Sequence, residues 1–306
     1  MTNELKVLLE RIDYEFVNYF REDMSVKTIF VAGSMSHDDY EDRIDNDYDI
    51  RVISDVVTKE KIQDFENFLK EISNKLTSEE LAVGYSCLVG PVNHKVASNK
   101  KNILIHAMIH QREQMDDFLP VTHKYQYGTR YRIVYGEDSL KRFQDVRYNL
   151  DELLNAHEGL RYCIDMLEKR EYRYLSWDTN DNDCSFNFHT AIMTDDIILE
   201  NCFYSVNKFI NNLINYCNWN NYDIPHNKIC FAIRLLGEPL CIEDTIFLLK
   251  ALFTKDEKVL NLLFDNPLDE TINLLKQFEK GVLNLDYIFP KKEQEEIKVK
   301  KKIRNG

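Results

Sequence analysis

The feature that most constrains this chain is a pair of apolar, β-branched runs with polar ends. Phe30-Val31-Ala32 stops at Gly33-Ser34, and after a polar stretch Asn46-Asp47-Tyr48-Asp49 opens directly into Ile50-Arg51-Val52-Ile53. Runs of this kind read as buried strands. Lys27 to Ala32 and Tyr48 to Ser54 are therefore expected to be strands of one sheet. Glycine at a strand end lets backbone approach a ligand closely, and the following Ser34 brings an amide and a hydroxyl able to donate to phosphate. Asp47 and Asp49 are two residues apart, so on a strand their side chains share a face. Adjacent carboxylates repel unless a cation lies between them. Mg²⁺ suits carboxylate oxygens combined with substrate phosphates. Gly33 and Ser34 for phosphate, with Asp47 and Asp49 for metal, make one coherent constellation.

The neighbouring periodicities extend the picture. Leu5 to Phe20 and Thr58 to Leu76 carry helical stripes, and Leu81 to Val89 and Ile103 to Ile109 read as two further strands. Beyond about Asp138 the character changes. Leu150 to Leu167, Asp195 to Cys217, Lys228 to Leu236, Glu243 to Phe253 and Leu268 to Phe278 are helical in pattern, with Trp177 to Asp183 the most loop-like stretch among them. The expected class is α+β: a small mixed-sheet domain over residues 1–140, an all-helical domain over 141–290, and a basic flexible tail over 291–306.

Composition narrows the function classes. The net charge of −13 argues against a generic nucleic-acid binder, since neutralising phosphates supplies most of that affinity. No apolar run is long enough to span a membrane, and the N-terminus shows no signal-like block. Seven cysteines without a C-x-x-C pair suggest reduced thiols and a cytoplasmic setting, and argue against a zinc cage.

Gly33-Ser34 followed by Asp47-Tyr48-Asp49 between strand residues resembles the DNA polymerase β-type nucleotidyltransferase superfamily, over about residues 25–140. Arg132-Ile133-Val134-Tyr135-Gly136-Glu137-Asp138 is similar to a segment that closes the catalytic domain in its small-molecule members, which also carry a helical C-terminal domain. The resemblance implies transfer of a nucleotide from a nucleoside triphosphate to a small-molecule hydroxyl or phosphate acceptor, with Mg²⁺ on Asp47 and Asp49 and pyrophosphate released. It also implies a third carboxylate on a later strand. The matching strand, Asn102 to His110, has none and places His106 and His110 on one face. His106 is accordingly a candidate general base, substitute ligand or structural residue, and Glu113 or Glu137 are alternative bases. Lys95 is a candidate for the triphosphate, although Lys95, Lys100 and Lys101 also read as a charged hairpin tip. The stretch from His123 to Arg132 reads either as base-stacking or as ordinary packing. Asp38, Asp39, Glu41, Asp42 and Asp45 read as solvated loop charges. The missing carboxylate keeps two alternatives open: a nucleotide-binding regulatory module of weakened activity, and a protein-modifying nucleotidyltransferase.

Overall fold

A computed structural model of the chain describes residues 3–36, 47–90, 101–113, 115, 130–144, 150–180, 183–219, 221–225, 227–237, 242–281 and 295. The chain divides into two compact units. The first comprises Met1–Val146 with Tyr174–His189, and the second Arg147–Arg173 with Thr190–Gly306.

In the first unit the order is α1 (Asn3–Phe20), β1 (Val26–Ala32), β2 (Asp47–Ser54), α2 (Lys59–Leu76), β3 (Leu81–Ser86), β4 (Lys101–Gln111) and β5 (Tyr131–Gly136). The five strands form one sheet in the order β3-β4-β2-β1-β5. β2 pairs with β4, and β4 with β3, in parallel, whereas β1 is antiparallel to both β2 and β5. The expected mixed sheet is thus present, with one strand more than the two pairs read from periodicity.

Alternation decides what each face of this sheet does. Ile29 and Val31 of β1, Tyr48, Ile50 and Val52 of β2, and Ile103, Ile105, Ala107 and Ile109 of β4 all belong to one buried cluster. The apolar stripes of α1 (Leu9, Ile12, Phe16, Phe20) and α2 (Ile62, Phe65, Phe68, Leu69, Ile72, Leu76) complete that cluster. Phe16 meets Phe68 edge-on at 5.1 Å between ring centroids, a favoured aromatic geometry. The N-terminus of α2 is capped by Thr58, whose hydroxyl accepts from the Lys61 amide. The alternate residues of the same strands point to the opposite face. There they form two smaller apolar clusters, one around Phe30, Ala32, Ile53, Leu140 and Phe143, the other around Met108, Leu175 and Phe186. Asp47, Asp49 and Arg51 of β2 and His106 and His110 of β4 are polar residues of this second face, His110 buried there near the Phe186 ring.

One stretch departs from the sequence reading. Residues around Trp177, expected to be loop, form the hairpin β6 (Glu171–Asn180) and β7 (Asp183–Ile192). Its acidic and amide-rich tip masked the strand signal; the flanking Tyr174, Leu175, Trp177, Phe186 and Phe188 carry it. Within the first unit, Leu175 pairs with Val89 through two backbone hydrogen bonds, and the Trp177 indole donates to the Ile109 carbonyl at 3.0 Å.

The second unit is built from α3 (Leu150–Lys169), α4 (Asp195–Trp219), α5 (Lys228–Leu236), α6 (Ile242–Thr254), α7 (Glu257–Leu263) and α8 (Pro267–Gly281). Five of these match the helical stripes closely, and the short α7 is a helix the periodicity did not single out. No described helix is long and apolar enough to cross a membrane. The described cysteines are free thiols; Cys163, Cys202 and Cys217 are buried, and burial pushes the Cys202 thiol up to about 12. The basic segment 291–306 lies outside the described residues, Glu295 excepted.

Candidate functional site

The site is assembled where β1 ends and β2 begins. Ala32 pairs with Asp49, so the residue after Ala32 lands beside the Asp49 side chain. That residue is Gly33, with φ at +76°, in a short 3₁₀ turn over Gly33–Ser36. A Cβ built on Gly33 would lie 3.0 Å from Asp49 Oδ2. Glycine is required on both counts, by the left-handed backbone and by the closeness of a carboxylate. The Ser36 hydroxyl donates to the Gly33 carbonyl at 2.8 Å and braces the turn.

Asp47 and Asp49 are both half-buried and alternate with Tyr48 and Ile50, which are fully buried in the opposite face. Tyr48 holds this alternation from behind. Its hydroxyl donates to Asp13 of α1 and accepts from Arg132 Nη2 of β5 at 2.9 Å, while Arg132 Nη1 meets Asp13 Oδ2 at 2.8 Å. Burial pushes the Asp13 carboxyl above its ordinary range, although the Tyr48 hydroxyl and the Arg132 guanidinium pull the other way. Arg132, a member of the basic aromatic stretch, is thereby a partner of the carboxylate-bearing strand.

Asp49 is engaged by two neighbours at one oxygen. Its Oδ1 accepts from Arg51 Nη2 at 2.9 Å and lies 2.8 Å from His106 Nδ1. Register explains the second contact, because Asp49 and His106 are paired partners on β2 and β4. His106 Nε2 lies 2.6 Å from the Leu88 carbonyl. A carbonyl only accepts, so Nε2 carries a hydrogen and donates it there. Leu88 precedes Val89, the residue bridged to Leu175 of the hairpin. A continuous path thus runs from hairpin to backbone carbonyl to imidazole to carboxylate.

Arg51 was not singled out by sequence reasoning, yet the signal was there: one charge between Ile50 and Val52 in an apolar strand demands a partner. Of the alternative bases, Glu137 meets Arg112 at 3.0 Å and Glu113 is exposed. Gly136 has a structural task; its φ is +81° and a Cβ there would fall 2.0 Å from the Lys27 carbonyl. Asp138 accepts from the Tyr131 hydroxyl and the Leu140 amide. Ser34 belongs to the turn, and Lys95, the acidic loop and most of 123–132 lie outside the described residues.

Among the described residues no three His, Cys, Asp or Glu side chains cluster as a metal cage. The donors present are two carboxylates on one strand face. That set fits Mg²⁺, which takes one or two carboxylates and completes its shell with water and substrate phosphate. Asp47 and Asp49 would hold it, with Asp49 Oδ2 the oxygen turned toward the Gly33 turn.

No protein-family model matches the chain, and no curated protein sequence matches it. Among solved structures the chain is similar to spectinomycin adenyltransferase AAD(9) from Enterococcus faecialis, determined with ATP and spectinomycin. That likeness covers 89% of this chain and 99% of that one, at 12% identity and a TM-score of 0.47.

Proposed function

We propose that this chain binds a nucleoside triphosphate with Mg²⁺ and transfers its nucleotidyl group to a small-molecule hydroxyl or phosphate acceptor. The acceptor oxygen bonds to the α-phosphorus, the bond from that phosphorus to the bridging oxygen breaks, and pyrophosphate leaves. The observation that carries this reading is the Gly33 turn placed against Asp49, with Asp47 on the same strand face. A glycine turn that admits a phosphate beside paired carboxylates is the arrangement that metal-assisted phosphoryl chemistry needs.

Bound there, Mg²⁺ would offset charge on the phosphates. The chain's own residues do the rest. Gly33 and the amide and hydroxyl of Ser34 receive the β- and γ-phosphates, and Lys95 adds positive charge to the triphosphate. His106, already donating from Nε2 to Leu88, orients Asp49. Excess pyrophosphate release over background, with labelled triphosphates and an acceptor panel, is the assay. Asp47→Asn with Asp49→Asn is expected to lower the rate by about a hundredfold or more; a double variant as fast as wild type would sink the reading.

The absence of Asp and Glu from all of β4, Lys101–Gln111, favours one rival: binding without turnover. Calorimetry that shows metal-nucleotide binding while no acceptor yields pyrophosphate would select it.

A further inference from the structure

Leu88 and Val89 follow β3 but lie outside the named strands, and both are half-buried. Packing alone therefore does little to fix them. The Leu88 amide reaches the Ser86 hydroxyl at a long 3.3 Å, and Leu88, Phe65 of α2 and Trp177 of β6 line a void of about 40 Å³. The β6–β7 hairpin supplies the firmer hold. Val89 and Leu175 exchange two backbone hydrogen bonds, at 2.9 and 2.8 Å. The hairpin is itself seated on β4: Leu175 and Phe186 pack with Met108, and the Trp177 indole donates to the Ile109 carbonyl at 3.0 Å. Met108 and Ile109 come shortly after His106 on that strand. One hairpin thus braces both the strand that carries His106 and the carbonyl that receives its Nε2 hydrogen at 2.6 Å. An imidazole held at one nitrogen presents the other at a set point, here 2.8 Å from Asp49 Oδ1.

Resting on the function proposed above, we infer that the β6–β7 hairpin is a positioning element of the transfer site. It sets the Leu88 carbonyl, through that carbonyl the His106 ring, and through the ring the direction in which Asp49 offers its carboxylate to the metal. Leu175 and Trp177 are its positioning residues, and they act through His106. The hairpin enters the chain between α3 and α4. Residues that periodicity assigns to the helical domain therefore complete the geometry of a site on the sheet. Losing an outer partner of a metal-binding carboxylate costs about 10- to 100-fold in metal affinity. Arg51 also donates to Asp49 Oδ1, which puts the expectation at the lower end of that range.

Two readouts on the full chain test this. The first is magnetic resonance of isotope-labelled histidine, with the His106 Nε2 hydrogen assigned by its loss in His106→Gln. That hydrogen is expected to exchange slowly with water in the wild type and fast in Leu175→Ala and Trp177→Leu. Slow exchange kept in both variants overturns the inference. The second readout is Mn²⁺ affinity without nucleotide. His106→Gln, Leu175→Ala and Trp177→Leu are each expected to weaken binding by about tenfold. Leu175→Ala added to His106→Gln is expected to weaken it no further, because the hairpin works through that ring. Leu175→Met, which keeps the apolar contact, is expected to bind as the wild type does. A hairpin that only stabilises the fold would leave the affinity of folded variants unchanged, or would add its loss to that of His106→Gln, and either result overturns the inference. Where the hairpin variants do not fold, the wild type decides. The His106 Nε2 hydrogen and the Val89 and Leu175 amides are expected to share one urea dependence of exchange, and an imidazole hydrogen that escapes independently of them overturns the inference. A wild-type chain that binds no Mn²⁺ removes the proposed function and this inference with it; one that binds Mn²⁺ no more tightly than its hairpin variants removes this inference alone.

Discussion

At Gly33 a missing Cβ decides whether a site can exist. Alanine there meets a φ of +76° and a contact of 3.0 Å to Asp49 Oδ2. Gly33→Ala is expected to cost about 1–2 kcal/mol of stability and to weaken triphosphate binding by about tenfold or more, as calorimetry would show. Unchanged affinity would remove Gly33 from the phosphate site. Tyr48 makes a second single-residue case. It sits between Asp47 and Asp49, fully buried, with its hydroxyl shared by Asp13 and Arg132. Tyr48→Phe is expected to cost about 1–3 kcal/mol in urea unfolding, since it strips a donor from a buried carboxylate. The penalty has a pH signature. The folded Asp13 carboxyl lies above its ordinary range, so its stabilising share is full in acid and is lost as pH rises through the folded value. Removing the Tyr48 hydrogen bond raises that value further. The gap between Tyr48→Phe and wild type is therefore expected to widen from acid toward neutral pH, and a gap that narrows would refute the assignment.

Elements are held in register by contacts at both ends of the sheet, and Lys61 of α2 does this at the end away from Gly33. Its ammonium forms an ion pair with Asp23 Oδ2 at 2.7 Å and lies within hydrogen-bond distance of the Ser25 hydroxyl at 2.5 Å, the Ser54 hydroxyl at 2.8 Å and the Val56 carbonyl at 3.2 Å. One side chain thus ties the turn before β1 to the end of β2. Lys61→Met is expected to cost about 2 kcal/mol while leaving triphosphate binding unchanged. Burial works against the Asp23 charge, but Lys61 and the hydroxyl and amide of Ser25 outweigh it and hold the carboxyl below its usual range. That contribution is present above the ordinary aspartate range and is lost as pH falls through and below it. Acid unfolding curves of Lys61→Met should accordingly be flatter than wild type in that window; a parallel pair of curves would mean that the clamp does not govern the Asp23 charge. Helix stripes and strand runs were legible in the sequence because periods of 3.6 and 2 are local properties. The hairpin β6–β7 was not, because its Asp- and Asn-rich tip looks like a loop until Leu175, Trp177 and Phe186 are seen against Met108 and Val89.

For the molecule as a whole, the notable fact is that the first unit is discontinuous. Tyr174–His189 belongs to it although the chain has already entered the second unit at Arg147. A fragment ending at Val146 therefore lacks the hairpin that covers Met108 and bridges Val89. It is expected to unfold at lower urea than the same unit in the full chain, with exchange-exposed amides around Leu88 and Val89; equal stability would show the hairpin to be dispensable. The sequence by itself determined the α+β class, the run of helices after Leu150, and a Gly-Ser turn paired with an Asp-x-Asp strand, all set by local pattern and residue chemistry. Tertiary structure alone decided that Ala32 faces Asp49 and so brings Gly33 to it, that Asp49 faces His106, and that Arg51 answers the same carboxylate oxygen. Those contacts depend on strand order and register. Neither is written in any one segment, because each is fixed only when distant segments bury their apolar faces together.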